Sequence, residues 1–460
     1  MADDKLKNLR GESRRKFIKF ASAAGAALAL DRSKVLDVIA DSGGEAMADE
    51  AACSVTNRSI HLVAGNGGFA WFQLLWPHIE IAKSNNDNFA FHRFGETVDA
   101  TDTDKPFTYA PESPWQDLDS TKRITGFMAG TNETHTAQPN SAASLGGNVS
   151  MLAAAASLQN ELPSLLPVIG VTPFNFGNAP GAPAVTNVGS PEGMVDLFNS
   201  SASQAILSIE EDAATYEAYY KAFLSLNKAA KRATWAKQLR ITKASANFLG
   251  KNLASLLAPT AADETAYGID GAPNNIRDVG LGIITAVKAF RLGLTNSVIL
   301  PALRDDPHGA FNNMGNINQR VGILGQIFDA MMEDLASYED PACVGSTLAD
   351  RTILTVHGDT PKNPRNRGGW PDGTPNNSNW LYVMGNGYLK TGWFGGVRED
   401  GSTDGFDPAT GDTVANQASN QTTAPAGAAV AFAIAQGDMQ RVNEFYNGPS
   451  IAGIVNEQLL

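Results

Sequence analysis

The chain has 460 residues, 43% of them apolar and 18% charged, with a net charge of −13. That apolar share supports a globular core and argues against disorder. A negative surface disfavours nucleic acid and anionic membrane as partners. Only Cys53 and Cys343 are present, so no disulfide framework is expected.

Residues 13 to 19 read Ser13-Arg14-Arg15-Lys16-Phe17-Ile18-Lys19, and an apolar run of 11 residues, Phe20 to Leu30, comes next. Paired arginines, an aromatic and then an Ala- and Gly-rich apolar run occur in the order of a twin-arginine export signal. Spanning a bilayer takes roughly 20 apolar residues, so the run is too short to anchor the chain, and no membrane span is expected elsewhere. Residues 1–50 are expected to be signal peptide and flexible linker, recognised by the twin-arginine translocase. Residues 51–460 are expected to form one α/β domain that is periplasmic or secreted. Ala46-Met47-Ala48 has the small-x-small pattern of a cleavage site, though far from the apolar run. Cys53, after Ala51-Ala52, resembles a lipidation site, but Glu50 stands where an aliphatic belongs.

Ser59 to Ala64 (SIHLVA) predicts a strand running into the turn Gly65-Asn66-Gly67-Gly68. That turn lacks both the phosphate-loop Lys-Ser/Thr and the spaced dinucleotide glycines. Residues 95 to 120 are polar and read as a surface excursion. Ser144 to Leu158 is Ala-rich and predicts a helix; Leu165 to Val171 predicts a strand. Residues 174 to 195, rich in Gly, Pro and Asn, read as a loop. The longest helical stretch runs from 203 to 257, with Tyr216, Tyr219, Phe223, Leu226 and Ala230 on one face. Ile276 to Leu292 predicts a helix and Ser297 to Leu303 a strand. Ile317, Val321, Leu324, Phe328, Met331 and Leu335 step by four and three, which predicts an amphipathic helix. Thr352 to His357 (TILTVH) predicts another strand. Residues 358 to 425 are loop-rich around a short strand, Trp380 to Met384, and Ala426 to Tyr446 predicts a closing helix. Alternating strands and helices imply a mostly parallel central sheet covered by helices on both faces. In such sheets the chemistry sits at the carboxyl ends of the strands.

The polar segments after residues 64, 303 and 357 leave strands at that edge. Asp305-Asp306-Pro307-His308 offers a carboxylate and an imidazole two apart, which an extended turn can aim at one divalent metal. The same pattern suits a capping Asp and a surface His. Asn132-Glu133-Thr134-His135 sets a hydroxyl beside an imidazole. His357-Gly358-Asp359-Thr360-Pro361-Lys362 ends the TILTV strand, where His357 and Asp359 read equally as ligands or turn formers. Lys362, Arg365 and Arg367 supply positive charge, suited to an anionic substrate or to a solvated loop. No G-x-S-x-G or H-E-x-x-H motif occurs. His61 and His78 flank apolar strands and read as core or edge residues.

From about residue 59 onward the chain resembles a bacterial family of exported proteins in the alkaline phosphatase/sulfatase-like superfamily, many of them with twin-arginine signals. The resemblance rests on HLVAGNGGFAWFQLLWP, TNETH, AVKAFRLGLTNSVILPALRDDPH, ILTVHGDTPK and NSNWLYVMGNGYLKTGWFGG in that order. It implies an alkaline phosphatase/sulfatase-like sandwich. It also implies two adjacent divalent metals that polarise ester oxygens and activate a Ser or Thr nucleophile. Thr134 matches the nucleophile position, and Asp306 and His308 match an Asp-x-His ligand pair. Four expected ligands are replaced. Ala70 stands for a carboxylate, Val356 for a Glu, and Ser378-Asn379 for an Asp-His pair. Val and Ala cannot ligate a metal, and Ser or Asn are poor substitutes. Either His357, Asp359 and Asp372 stand in locally, with Asn379, Lys362, Arg365 and His135 as further site candidates, or the two-metal site is lost.

These residues support two readings. One is an exported scaffold with a degenerate metal site, serving as a non-catalytic binding or surface component with an extracytoplasmic protein partner. The other is a hydrolase of sulfate or phosphate esters that takes an anionic small-molecule ester. It would use Thr134 as nucleophile and one or two divalent metals (Zn, Mg, Mn or Ca) on Asp306, His308, His357 and Asp359.

Overall fold

The computed structural model describes residues 53, 55–63, 75–76, 108–109, 123–131, 144–162, 164–199, 253–302, 314–358, 379–385, 387–397 and 403–456. The expected signal, its cleavage point, and residues 203–252 of the long helical stretch lie outside them. The chain divides into two compact units. The smaller comprises 1–52, 163–165 and 195–258, and its described part includes a helix at Leu253–Leu257. The larger unit holds the central sheet.

Eight strands form that sheet. In chain order they are β1 (Arg58–Val63), β2 (Arg123–Met128), β3 (Val168–Val171), β4 (Val185–Val188), β5 (Ser297–Pro301), β6 (Thr352–His357), β7 (Trp380–Gly385) and β8 (Gly392–Phe394). Across the sheet they run β8-β2-β7-β6-β1-β5-β3-β4. Only β7 is antiparallel to its neighbours; the other pairings are parallel. The expected α/β class with a mostly parallel sheet is therefore present. β1 and β6 are buried along their whole length, as parallel strands covered on both faces must be.

Helices lie on both faces. On one, α1 (Met151–Leu158) and α4 (Thr423–Ile434) pack over Val63, Phe127, Ile299, Ile353 and Leu381. Both are Ala-rich and almost wholly buried, so their backbones approach closely. On the other face α2 (Asn274–Arg291) meets β5, where a Cβ on Gly282 would sit 3.0 Å from the Leu300 side chain. α3 (Met314–Ala336) packs beside α2. No helix among the described residues is long and apolar enough to cross a membrane.

The structure departs from the sequence expectations at three segments. The Ala-rich segment from Ser144 is not helical throughout: Ser144–Gly146 and Val149–Ser150 pair as a hairpin before α1 begins. Gly146 and Gly147 adopt positive φ there, which turns the chain. The closing helix ends at Ile434, because Gln436 and Gly437 take left-handed φ values and Asp438 caps a new short helix, Met439–Val442. The segment 174–195, expected to be loop, contains β4, whose half-exposed Val-Thr-Asn-Val makes the sheet edge. Cys53 and Cys343 form one disulfide across 290 residues, so Cys53 has no free thiol to acylate.

Candidate functional site

Five adjacent strands, β2-β7-β6-β1-β5, bring their ends to one edge. The registers Trp380↔Met128, His357↔Leu381, Leu62↔Val356 and Val63↔Pro301 fix this alignment. With strands about 4.8 Å apart, the row is roughly 19 Å wide. The chain leaves this edge after Val63, Thr131, Ala302 and Gly358, and returns to it at Asn379. Thr134, His135, Asp306, His308, Asp359, Lys362, Arg365 and Asp372 all belong to segments that start here. They lie outside the described residues, as do His78, Ala70 and Ser378. The fold therefore gathers the roots of all the candidate segments on contiguous strands.

Two candidates are described, His357 and Asn379. Asn379 is fully buried and works as a clasp. Its Oδ1 accepts from the Trp380 N–H at 2.7 Å, and its Nδ2 donates to the Thr131 carbonyl at 2.8 Å. Its own N–H donates to Ser419 Oγ at 3.0 Å, and that hydroxyl donates to the Gly130 carbonyl at 2.6 Å. Gly130 N–H in turn donates to Thr423 Oγ1 at 2.7 Å, in the first turn of α4. The root of the TNETH segment is thus tied to β7 and α4. Gly358 must be glycine here, since a Cβ would fall 2.4 Å from Asn379 Oδ1.

His357 closes β6 with its ring buried beneath the edge. Its Nε2 lies 2.9 Å from Thr355 Oγ1, and that hydroxyl lies 2.7 Å from His61 Nδ1 on β1. The rings meet edge to face with centroids 6.2 Å apart. One hydroxyl can donate to one ring and accept from the other, so the two imidazoles hold the same tautomer, both Nε2–H or both Nδ1–H. Burial drives both pKa values down to about 3, with the neighbouring His357 adding to the effect on His61. Both rings are neutral near pH 7. Among the described residues, His61 Nε2 and His357 Nδ1 have no hydrogen-bond partner.

No protein-family model, curated protein or solved structure matches this chain.

The residues at the edge can still be weighed against the metal pair that the resemblance implies. Val356, at the position of an expected Glu, is buried and apolar. Asn379, at the position of an expected His, has both ends of its amide committed to main chain. One nitrogen of His357 is occupied by Thr355. The described strand ends do not fit the two-metal ligand set. The burial of His61 agrees with its reading as a core residue. Its pairing with Thr355 is not legible in hydropathy, although the period-two alternation that puts Thr355 and His357 on one face carries that signal.

Proposed function

We propose that this chain is an exported, non-catalytic binding or surface-assembly protein. In this reading it keeps an alkaline phosphatase/sulfatase-like sandwich and has lost the two-metal chemistry. Its partner is an extracytoplasmic protein, and the twin-arginine translocase carries it out through Arg14 and Arg15. The observation that carries the reading is the Asn379 clasp: where a ligand is expected, an amide fastens β7 to the exit of β2. A liganding residue there would have to abandon that bond. The Cys53–Cys343 disulfide is in keeping with an oxidising destination.

A hydrolase reading retains one support. The segments carrying Thr134, Asp306, His308 and Asp359 start from neighbouring strand ends. One experiment separates the two. The purified full-length protein is assayed for bound Zn, Mg, Mn and Ca and for turnover of aryl sulfate and aryl phosphate. The binding reading expects no stoichiometric metal and no turnover. Metal lost on the double change Asp306→Ala and His308→Ala, together with turnover lost on Thr134→Ala, would sink it.

A further inference from the structure

The central sheet ends on one side at β4 (Val185–Val188), which is half-exposed, and on the other at β8, which is buried along its length. β4 carries an open row of main-chain groups. The Val188 carbonyl accepts from the Thr172 N–H at 3.0 Å and so points inward, towards the end of β3. Alternate residues of a strand turn their main-chain groups to opposite sides. Thr186 therefore bonds inward as well, and the N–H and C=O of Val185 and Asn187 point out of the sheet. Among the described residues nothing pairs with those outward groups. Such a row is a template for another strand.

Edges that stay free in water are commonly blunted by charge, Lys above all. This one is not. No charged residue occurs from Leu162 to Pro191, in a chain that is 18% charged. Thr172 to Ser190 is surface, since every residue in it is half-exposed or exposed. Ahead of β4, residues 179 to 184 are Ala, Pro and Gly alone, over which a second backbone can come close. The lack of charge also indicates the partner. Two copies of a chain with a net charge of −13 repel each other. About a two-fold axis the same patch meets itself, so a charge near the axis faces its like. Like charges directly opposite across strands are destabilising. Self-pairing thus requires a surface without charge. A partner drawn by the acidity of this protein would need carboxylates at the contact, and this segment has none.

We infer that β4 pairs antiparallel with β4 of a second copy of this chain about a two-fold axis, joining the two sheets into one. Val185 of each copy lies opposite Asn187 of the other, and the two exchange both N–H···O=C bonds. Thr186 meets its own mate on the axis as a non-hydrogen-bonded pair. The buried edge at β8 offers no second site, so assembly stops at a closed dimer. The inference goes beyond the function proposed above: it uses the sheet edge alone and holds whether or not a metal binds at the strand ends.

The test is sedimentation equilibrium and cross-linking of the purified full-length protein. Across a micromolar concentration series the expected mass is that of a dimer in reversible equilibrium with monomer. Thr186 is half-exposed, so a charge there should leave the fold intact, which circular dichroism checks. Thr186→Asp and Thr186→Lys should each weaken the dimer by about tenfold or more, because like charges then meet on the axis. An equimolar mixture of the two variants should dimerise again, since Asp then meets Lys. A cysteine on the axis would stand about 4.5 Å from its mate, Cα to Cα, inside the disulfide span of about 4.4–6.8 Å. Thr186→Cys should therefore cross-link on mild oxidation, and Glu444→Cys, exposed elsewhere, should not. Should a charged variant unfold, the cysteine pair of experiments decides alone. Four results overturn the inference: protein monomeric at every concentration, a dimer that the charged variants leave unchanged, a mixture that does not recover, or no cross-link through Thr186→Cys. Metal content and esterase turnover bear on the strand ends alone.

Discussion

His61 and His357 are the residues in which the surroundings most change ordinary chemistry. An imidazole that titrates near 6.5 in an unfolded chain is held down to about 3 in this fold, chiefly because burial penalises its charge. No other titratable side chain lies on α1 (MLAAAASL) or α4 (TAPAGAAVAFAI), which cover that face, so nothing there supports a positive ring. The folded state therefore binds fewer protons than the unfolded one between about pH 6.5 and 3. Stability is full above pH 6.5 and falls as pH drops through this window, by about 1.4 kcal/mol per pH unit for each ring. Urea midpoints measured from pH 7 to 4 should show this acid limb. His61→Leu should roughly halve its slope, since His357 remains, while lowering stability at pH 7, because Thr355 loses a partner. An unchanged slope would mean that the rings are not buried together.

The elements achieve close packing through small residues. α4 lies so near the hairpin that a Cβ on Gly427 would fall 2.4 Å from the Ser144 carbonyl oxygen. On an isolated helix, replacing Gly by Ala would gain roughly 1 kcal/mol. Here the added methyl must displace main chain, and overpacking of that kind costs about 1–3 kcal/mol. Gly427→Ala should therefore lower the thermal midpoint; a rise would show that the hairpin does not rest on α4. The same closeness accounts for the mistaken helical expectation at Ser144. Composition favours helix throughout that stretch, but Gly146 and Gly147 allow a turn, and the turn seats the hairpin on α4.

At the scale of the whole molecule, one covalent link and one buried charge cluster hold the start of the domain to its later part. Cys53 joins Cys343. Nearby, Arg58 pairs with Asp340 at 2.7 Å, and Arg351 approaches the same carboxylate at 3.6 Å. Burial pulls the Arg58 pKa down while Asp340 pulls it up. Breaking one member of such a group is costly, because it strands a buried charge. The disulfide closes a loop of 290 residues, and loss of a native bridge typically costs about 2–5 kcal/mol. Cys343→Ser, or reductant, should lower the urea midpoint accordingly. On the export reading proposed above, changing Arg14 and Arg15 to Lys would hold the protein in the cytoplasm, where it should be reduced and similarly weakened. Equal stability with and without reductant would deny the bridge a structural role.

The sequence by itself determined the class of fold. SIHLVA and TILTVH are short runs rich in aliphatic and β-branched residues, as central strands are, and the steps of four and three from Ile317 to Leu335 suit a helix, so length, period and hydropathy carried the reading. It also placed the candidate segments at strand ends, since connections in a parallel sheet must leave there. Tertiary structure alone decided the rest. Which strand runs antiparallel, that β4 completes the edge, and that two lone cysteines meet all depend on residues far apart in the chain, and local pattern is silent about such pairings. So do the roles of single side chains. Asn379 read as a candidate for the site and proves to be a main-chain clasp. His61 read as a core residue and proves to share one hydroxyl with His357. A side chain's chemistry is set by the atoms that reach it, and only the fold brings those atoms there.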